Sequence, residues 1–172
     1  MSALPVPARS KLFLLFRIAG ERFALDALEV AEVLPLLPIK PIAQAPSWVA
    51  GIFAHRGRVV PVLDVSALSF GVAAVRRTST RLVLVHYPHE QAGADARLGL
   101  IVEYASETLR CNPDDFKSSG IHNRATPYLG PVREDNQGLL QWLRVHDLLE
   151  PPVRELLFAP QLVASVLGET SL

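Results

Sequence analysis

The 172-residue chain is predicted to fold as a mainly-β protein made of two copies of one small unit, closed by a C-terminal helical tail. Two observations predict this. The hydrophobic pattern of the first half recurs in the second, and short apolar runs bounded by turn residues fill both copies. Residues 12–16 (LFLLF) fall on 82–86 (LVLVH), Phe23-Ala24-Leu25 on Leu98-Gly99-Leu100, and Glu32-Val33-Leu34 on Glu107-Thr108-Leu109. Gly51 then falls on Gly130, and residues 59–63 (VVPVL) on 139–143 (LLQWL). A period of about 75 to 80 residues is too long for a solenoid and too short for two large domains, so a pair of small barrels or sandwiches is the natural architecture. A unit this short exposes much of its surface if it stands alone, so the two copies are expected to share an interface.

Residues 1–10 carry Pro5 and Pro7 without periodicity and read as a loose arm. Residues 11–18 and 22–26, joined through Gly20-Glu21, form a hairpin pattern. Asp26 is placed to cap a short helical turn over the next residues, after which 31–34 return to a strand that Pro35 stops. Pro38, Pro41 and Pro46 make the following segment an extended connection or edge. Residues 49–55 and 59–63 are a second hairpin around Arg56-Gly57-Arg58, with Gly57 placed to take a positive φ and Pro61 marking an edge or bulge. Asp64 can cap a short helix over 65–68, and the polar stretch 71–80 links the copies.

The second copy runs through 81–87, breaks over 88–95, and resumes at 96–103 and 106–110. Asn112-Pro113-Asp114-Asp115 is a turn signal, and 118–127 reads as a surface loop. Residues 128–133 and 138–143 pair across 134–137, and 145–149 mirror the helix after Asp64. From Val153 to Leu167 the apolar spacing is helical, interrupted at Pro160 and ended by Gly168.

Composition narrows the function. Apolar residues make up 49% and charged ones 20%, with formal net charge zero, so no long-range field draws a polyanion and a nucleic-acid reader is disfavoured. Such a composition favours protein partners. The single cysteine, Cys111, forbids an intramolecular disulfide and points to a reducing compartment. The apolar run 12–16 is too short for a signal peptide or a membrane span, so a cytoplasmic protein is expected.

No catalytic motif emerges. The five histidines lack ligand spacing, no HExxH or CxxC occurs, residues 51–57 lack the lysine and helix of a phosphate loop, and no serine sits in a GxSxG elbow. No metal, no cofactor and no enzymatic activity are expected. Arg56 at a hairpin tip bracketed by apolar strands has the character of an interface anchor, because its planar fork both stacks and donates several hydrogen bonds. Glu32 recurs as Glu107, so it also fits a repeat-imposed structural role.

Phe23-Ala24-Leu25-Asp26 with Val30-Ala31-Glu32-Val33-Leu34, then Pro46-Ser47-Trp48-Val49-Ala50-Gly51-Ile52, then residues 56–64 (RGRVVPVLD) together resemble the CheW-like family of chemotaxis coupling proteins. Residues 98–103 with Tyr128-Leu129-Gly130 resemble the family's second half, and the likeness covers about 11–149. The resemblance implies two intertwined, five-stranded SH3-like β-barrels: a first over about 11–75 and a second over about 76–150, within one domain spanning 11–150, with exchanged strands and the tail over 151–172. It implies a non-catalytic adaptor joining the cytoplasmic tip of a methyl-accepting chemoreceptor to the regulatory domain of a histidine kinase, recruited to receptor arrays at the inner membrane without inserting.

The family's partner-contacting valine, glutamate and arginine carry over to Val30, Glu32 and Arg56, with Gly57 beside the arginine and Val102 adding contact area in the groove between barrels. The chain departs from the family's Asn-Leu-Arg-Gly by placing Ala54-His55 ahead of Arg56-Gly57, which points to a specialised pathway such as surface sensing or second-messenger production. An alternative from another class is a barrel protein that binds a small anion between its halves through His55 and Arg56.

Overall fold

The computed structural model describes residues 9–158. The N-terminal arm expected over 1–10 and the tail helix beyond Phe158 therefore lie largely outside the described residues. Five strands form the first copy: β1 (Lys11–Ile18), β2 (Glu21–Asp26), β3 (Val30–Pro35), β4 (Val49–His55) and β5 (Arg58–Asp64). Helix α1 (Val65–Phe70) follows, running two residues beyond the predicted turn. The second copy holds β6 (Thr80–His86), β7 (Arg97–Cys111), β8 (Leu129–Asp135) and β9 (Gly138–Leu143), and α2 (Pro151–Leu157) closes the described chain.

Strand β7 departs from the two separate segments expected. It is one 15-residue strand, bent at Tyr104, whose φ of 56 is left-handed and whose N–H donates to the Ser79 carbonyl at 3.1 Å. Its first part, Arg97 to Glu103, pairs with β6; its last part, Glu107 to Cys111, pairs with β1. Between Leu15 and Arg17 the register of β1 against β7 shifts, as the bend requires.

That strand joins the two barrels. Strands β3, β6, the first part of β7, β5 and β4 are successive neighbours, with β5 and β7 parallel. The last part of β7, β1, β2, β9 and β8 are likewise neighbours, with β2 and β9 parallel. Each five-stranded barrel is therefore assembled from both halves of the chain. The division near residue 75 separates the sequence copies but not the barrels.

Local equivalences confirm the repeat physically. The Lys40–Ile52 bridge, with both backbone hydrogen bonds at 2.8 Å, matches the Lys117–Val132 bridge at 2.7 and 2.8 Å. Asp64 N–H donates to the Trp48 carbonyl as Arg144 N–H donates to that of Tyr128. Both copies also shift register at the start of the first strand of their last hairpin, β4 and β8, where Gly51 and Gly130 stand. The copies differ at the cap: the Asp64 carboxylate accepts from Ala67 N–H and α1 forms, whereas Arg144 provides no side-chain cap and only a 3-10 turn follows, at Val145–Asp147.

Three apolar layers explain why the strands read as continuous hydrophobic runs. In β6, Leu82 and Leu84 face the core of the first barrel while Val83 and Val85 face a central cluster between the barrels, and all four are fully buried. In β1, Phe13 enters the second barrel's core and Leu14, Phe16 and Ile18 join the central cluster. A strand covered on both faces needs no polar alternation. Phe13, Phe116 and Trp142 fill the second barrel with ring centroids 4.9 to 5.3 Å apart. Helix α2 packs Phe158 against Tyr87, with parallel rings at 5.4 Å, and against His89 at 5.1 Å.

Candidate partner-binding site

The site is built at one edge of the first barrel. Asp26 accepts a hydrogen bond from Leu28 N–H at 3.0 Å and holds a 3-10 turn at Ala27–Glu29, which delivers Val30 to the start of β3. Val30 pairs with Val85 and lies half-buried against the central cluster. The register of β3 against β6 then shifts between Val30 and Glu32. A bulge of this kind re-aims a side chain.

Across from β3, the β4–β5 hairpin turns through Arg56 and Gly57, with His55 opposite Arg58. Both turn residues have positive φ, 50 for Arg56 and 75 for Gly57, the geometry whose twist suits a two-residue hairpin. Gly57 thus has the predicted backbone role. The left-handed Arg56 had no signature in the sequence.

The hairpin and β3 meet at one carboxylate. Glu32 Oε2 lies 2.9 Å from His55 Nε2, and Glu32 Oε1 accepts from Arg56 Nη2 at 3.0 Å. Arg97, the first residue of β7, brings its Nη1 to 3.9 Å from Glu32 Oε2. The hydrogen bond with His55 lowers the Glu32 pKa below the usual carboxylate range, and the Arg56 charge, then those of His55 and Arg97, reinforce it against the opposing effect of burial. On the same hairpin Arg58 pairs with Asp95 at 3.2 Å. The Arg56 side chain remains 70% exposed, so most of its guanidinium donors face solvent.

The structure therefore joins Glu32 to Arg56 beside Gly57, adds His55 and Arg97, and places Val30 two residues before Glu32 at the start of β3, packed on the central cluster. Val102 does not join them. Its side chain is 2% exposed in the central cluster, so the contact area expected from it is not on the surface. Strand alternation identifies the face of a residue but not whether another barrel covers that face.

Arg97 joins the site through strand pairing, with no local signature in the sequence. Arg97 stands 75 residues after Arg22, and Asp135 stands 80 after His55. In the second barrel Arg22 grips Asp135 in a bidentate pair at 2.8 and 2.9 Å. The repeat counterpart Arg97 instead reaches Glu32 on β3. Among the described residues, no group of three or more histidine, cysteine or acidic side chains is placed to hold a metal ion, and no helix is long and apolar enough to cross a membrane.

The intertwined two-barrel fold is that of a known class. The family model for the CheW-like domain matches residues 12–152, and the chain belongs to that family. It is 25% identical over 143 residues to the chemotaxis protein CheW of Helicobacter pylori, covering 80% of this chain and 81% of that relative. The crystal structure of the scaffolding protein TtCheW from Thermoanaerobacter tengcongensis superposes with a TM-score of 0.72 at 22% identity, over 86% of this chain and 90% of that one, and shares the fold.

Proposed function

We propose that this chain is a non-catalytic chemosensory scaffold that couples a methyl-accepting chemoreceptor to a CheA-type histidine kinase. Family membership over residues 12–152 supports the scaffold class. The observation that carries the finer reading is Arg56: a left-handed turn residue, anchored by one hydrogen bond to Glu32 and otherwise open to a partner. Val30 supplies apolar area beside it on β3, and Glu32 orients the arginine. A helical hairpin, the shape of a receptor tip, suits an edge of this kind because its side chains meet apolar area and a polar fork together.

The anion-binding alternative is not carried forward, because His55 and Arg56 both engage the Glu32 carboxylate, which already fills the anion's place. The test is Arg56→Glu in a reconstituted mixture of this protein, the kinase and a receptor signalling fragment from the same genome. Placing a carboxylate beside Glu32 leaves the melting temperature within a few degrees, since the side chain is exposed, and reduces ternary complex formation at least tenfold. Unchanged complex formation removes Arg56 from the interface.

A further inference from the structure

Glu32 is held from two directions that have nothing to do with its bond to Arg56. His55 reaches it from the end of β4 with its side chain only 16% exposed, and Arg97 reaches it from the start of β7 at 27%. The Phe53 ring, 5.7 Å from the imidazole between centroids, backs His55 from the barrel side. Arg56 stands in a different situation. An exposed arginine paired with a single carboxylate gains little from the pair, because solvent screens it and a long side chain loses freedom. The pair keeps one geometry only if the carboxylate is already fixed. His55 and Arg97 both meet Oε2, which leaves Oε1 turned to Arg56.

We propose that His55 and Arg97 are positioning residues that lock the Glu32 carboxylate so that Arg56 is presented to its partner in one orientation. This rests on the role given to Arg56 above. His55 is the nearer holder, its Nε2 2.9 Å from Glu32 Oε2, and Arg97 Nη1 stands 3.9 Å from the same oxygen.

The experiment measures binding of the full chain to the kinase and receptor signalling fragment at pH 7, for wild type, Arg56→Glu, Arg97→Met, Arg97→Lys, His55→Leu and His55→Gln. Thermal denaturation of each variant checks folding. Arg97→Met is expected to weaken binding about three- to tenfold, the effect of one charge-assisted contact, with Arg97→Lys restoring part of it. His55→Leu, which removes the donor to Glu32, is expected to weaken binding about three- to tenfold, and His55→Gln, whose amide still donates, to restore part of it. If Arg56→Glu abolishes binding while Arg97→Met and His55→Leu match wild type, the positioning role is overturned and the role of Arg56 stands. If Arg56→Glu itself binds normally, the role of Arg56 falls and the lock falls with it.

Discussion

Gly51→Ala is expected to be among the most destabilising single-methyl changes in this protein, and the structure gives the size. Gly51 has a φ of 144 in the register shift that opens β4, and a Cβ there would land on the Lys40 carbonyl oxygen, 2.7 Å from the carbonyl carbon and 2.9 Å from Ile39 Cγ2. The obstacle is backbone, so no side chain can rotate away. Segment 39–40 must retreat, and it is held there by the two 2.8 Å hydrogen bonds with Ile52. Losing both costs about 2 kcal/mol, and a non-glycine residue in this region of φ adds about 1 to 3 kcal/mol. The expected loss is therefore about 3 to 5 kcal/mol, beyond the common range for point substitutions.

Gly57→Ala is the control. Gly57 also has a positive φ, 75, but nothing lies within 4 Å of its absent Cβ, so only the left-handed strain of about 1 to 2 kcal/mol applies. Urea denaturation followed by tryptophan fluorescence compares the two. If Gly51→Ala falls within about 1 kcal/mol of Gly57→Ala, the retreat is easier than reasoned and the bridge does not brace β4.

Three further predictions concern charged and aromatic contacts elsewhere in the fold. The bond from Arg22 lowers the Asp135 pKa, helped by the Gln137 N–H, so its stabilisation is fully present above the ordinary aspartate range and disappears as pH falls through the lowered value. Asp135→Asn is expected to cost about 1 kcal/mol at pH 7 and progressively less in acid, read by denaturation at several pH values. Burial raises the Glu29 pKa, opposed by His146, and among the described residues Glu29 Oε2 is buried without a hydrogen-bond partner. Its favourable contribution is thus complete below the ordinary glutamate range and lost as pH rises through the raised value. Glu29→Gln is expected to stabilise by about 1 kcal/mol at pH 7 and to be neutral below that range. Phe158, 3% exposed against Tyr87 and His89, anchors α2; Phe158→Ala is expected to cost about 3 kcal/mol by thermal or urea unfolding.

The repeat was legible because burial on both faces keeps β1 and β6 apolar at successive positions, a pattern that survives wide divergence between the copies. The caps at Asp26 and Asp64 and the turn at Gly57 were legible because each depends on one residue and its immediate neighbours. Strand pairing between the halves was not legible from hydrophobicity, since the same apolar residues serve whichever strand lies alongside. Continuity of β7 was hidden because Tyr104, not a glycine, carries the left-handed bend. The β8–β9 turn is tighter than expected, confined to Asn136 and Gln137, with Glu134 and Asp135 both in the ladder.

At the site, Glu32 and Arg56 followed from the family's ordered motif, and the geometry brings them together. The alternative reading gives His55 an anion to bind, and its neighbour across the fold is the Glu32 carboxylate. Arg97 lies 65 residues from Glu32 and meets it only because β7 pairs with β6, and β6 with β3. Long-range placement of that sort leaves no local trace.

A scaffold of the kind proposed bridges two proteins. The most direct test of this is to mix the purified full chain with the kinase and a receptor signalling fragment from the same genome, measuring co-sedimentation and kinase autophosphorylation together. The account predicts a ternary complex that needs this protein and a change in autophosphorylation on its assembly. Co-sedimentation of kinase and receptor that is the same without the chain, or binding of the chain to neither, would contradict it.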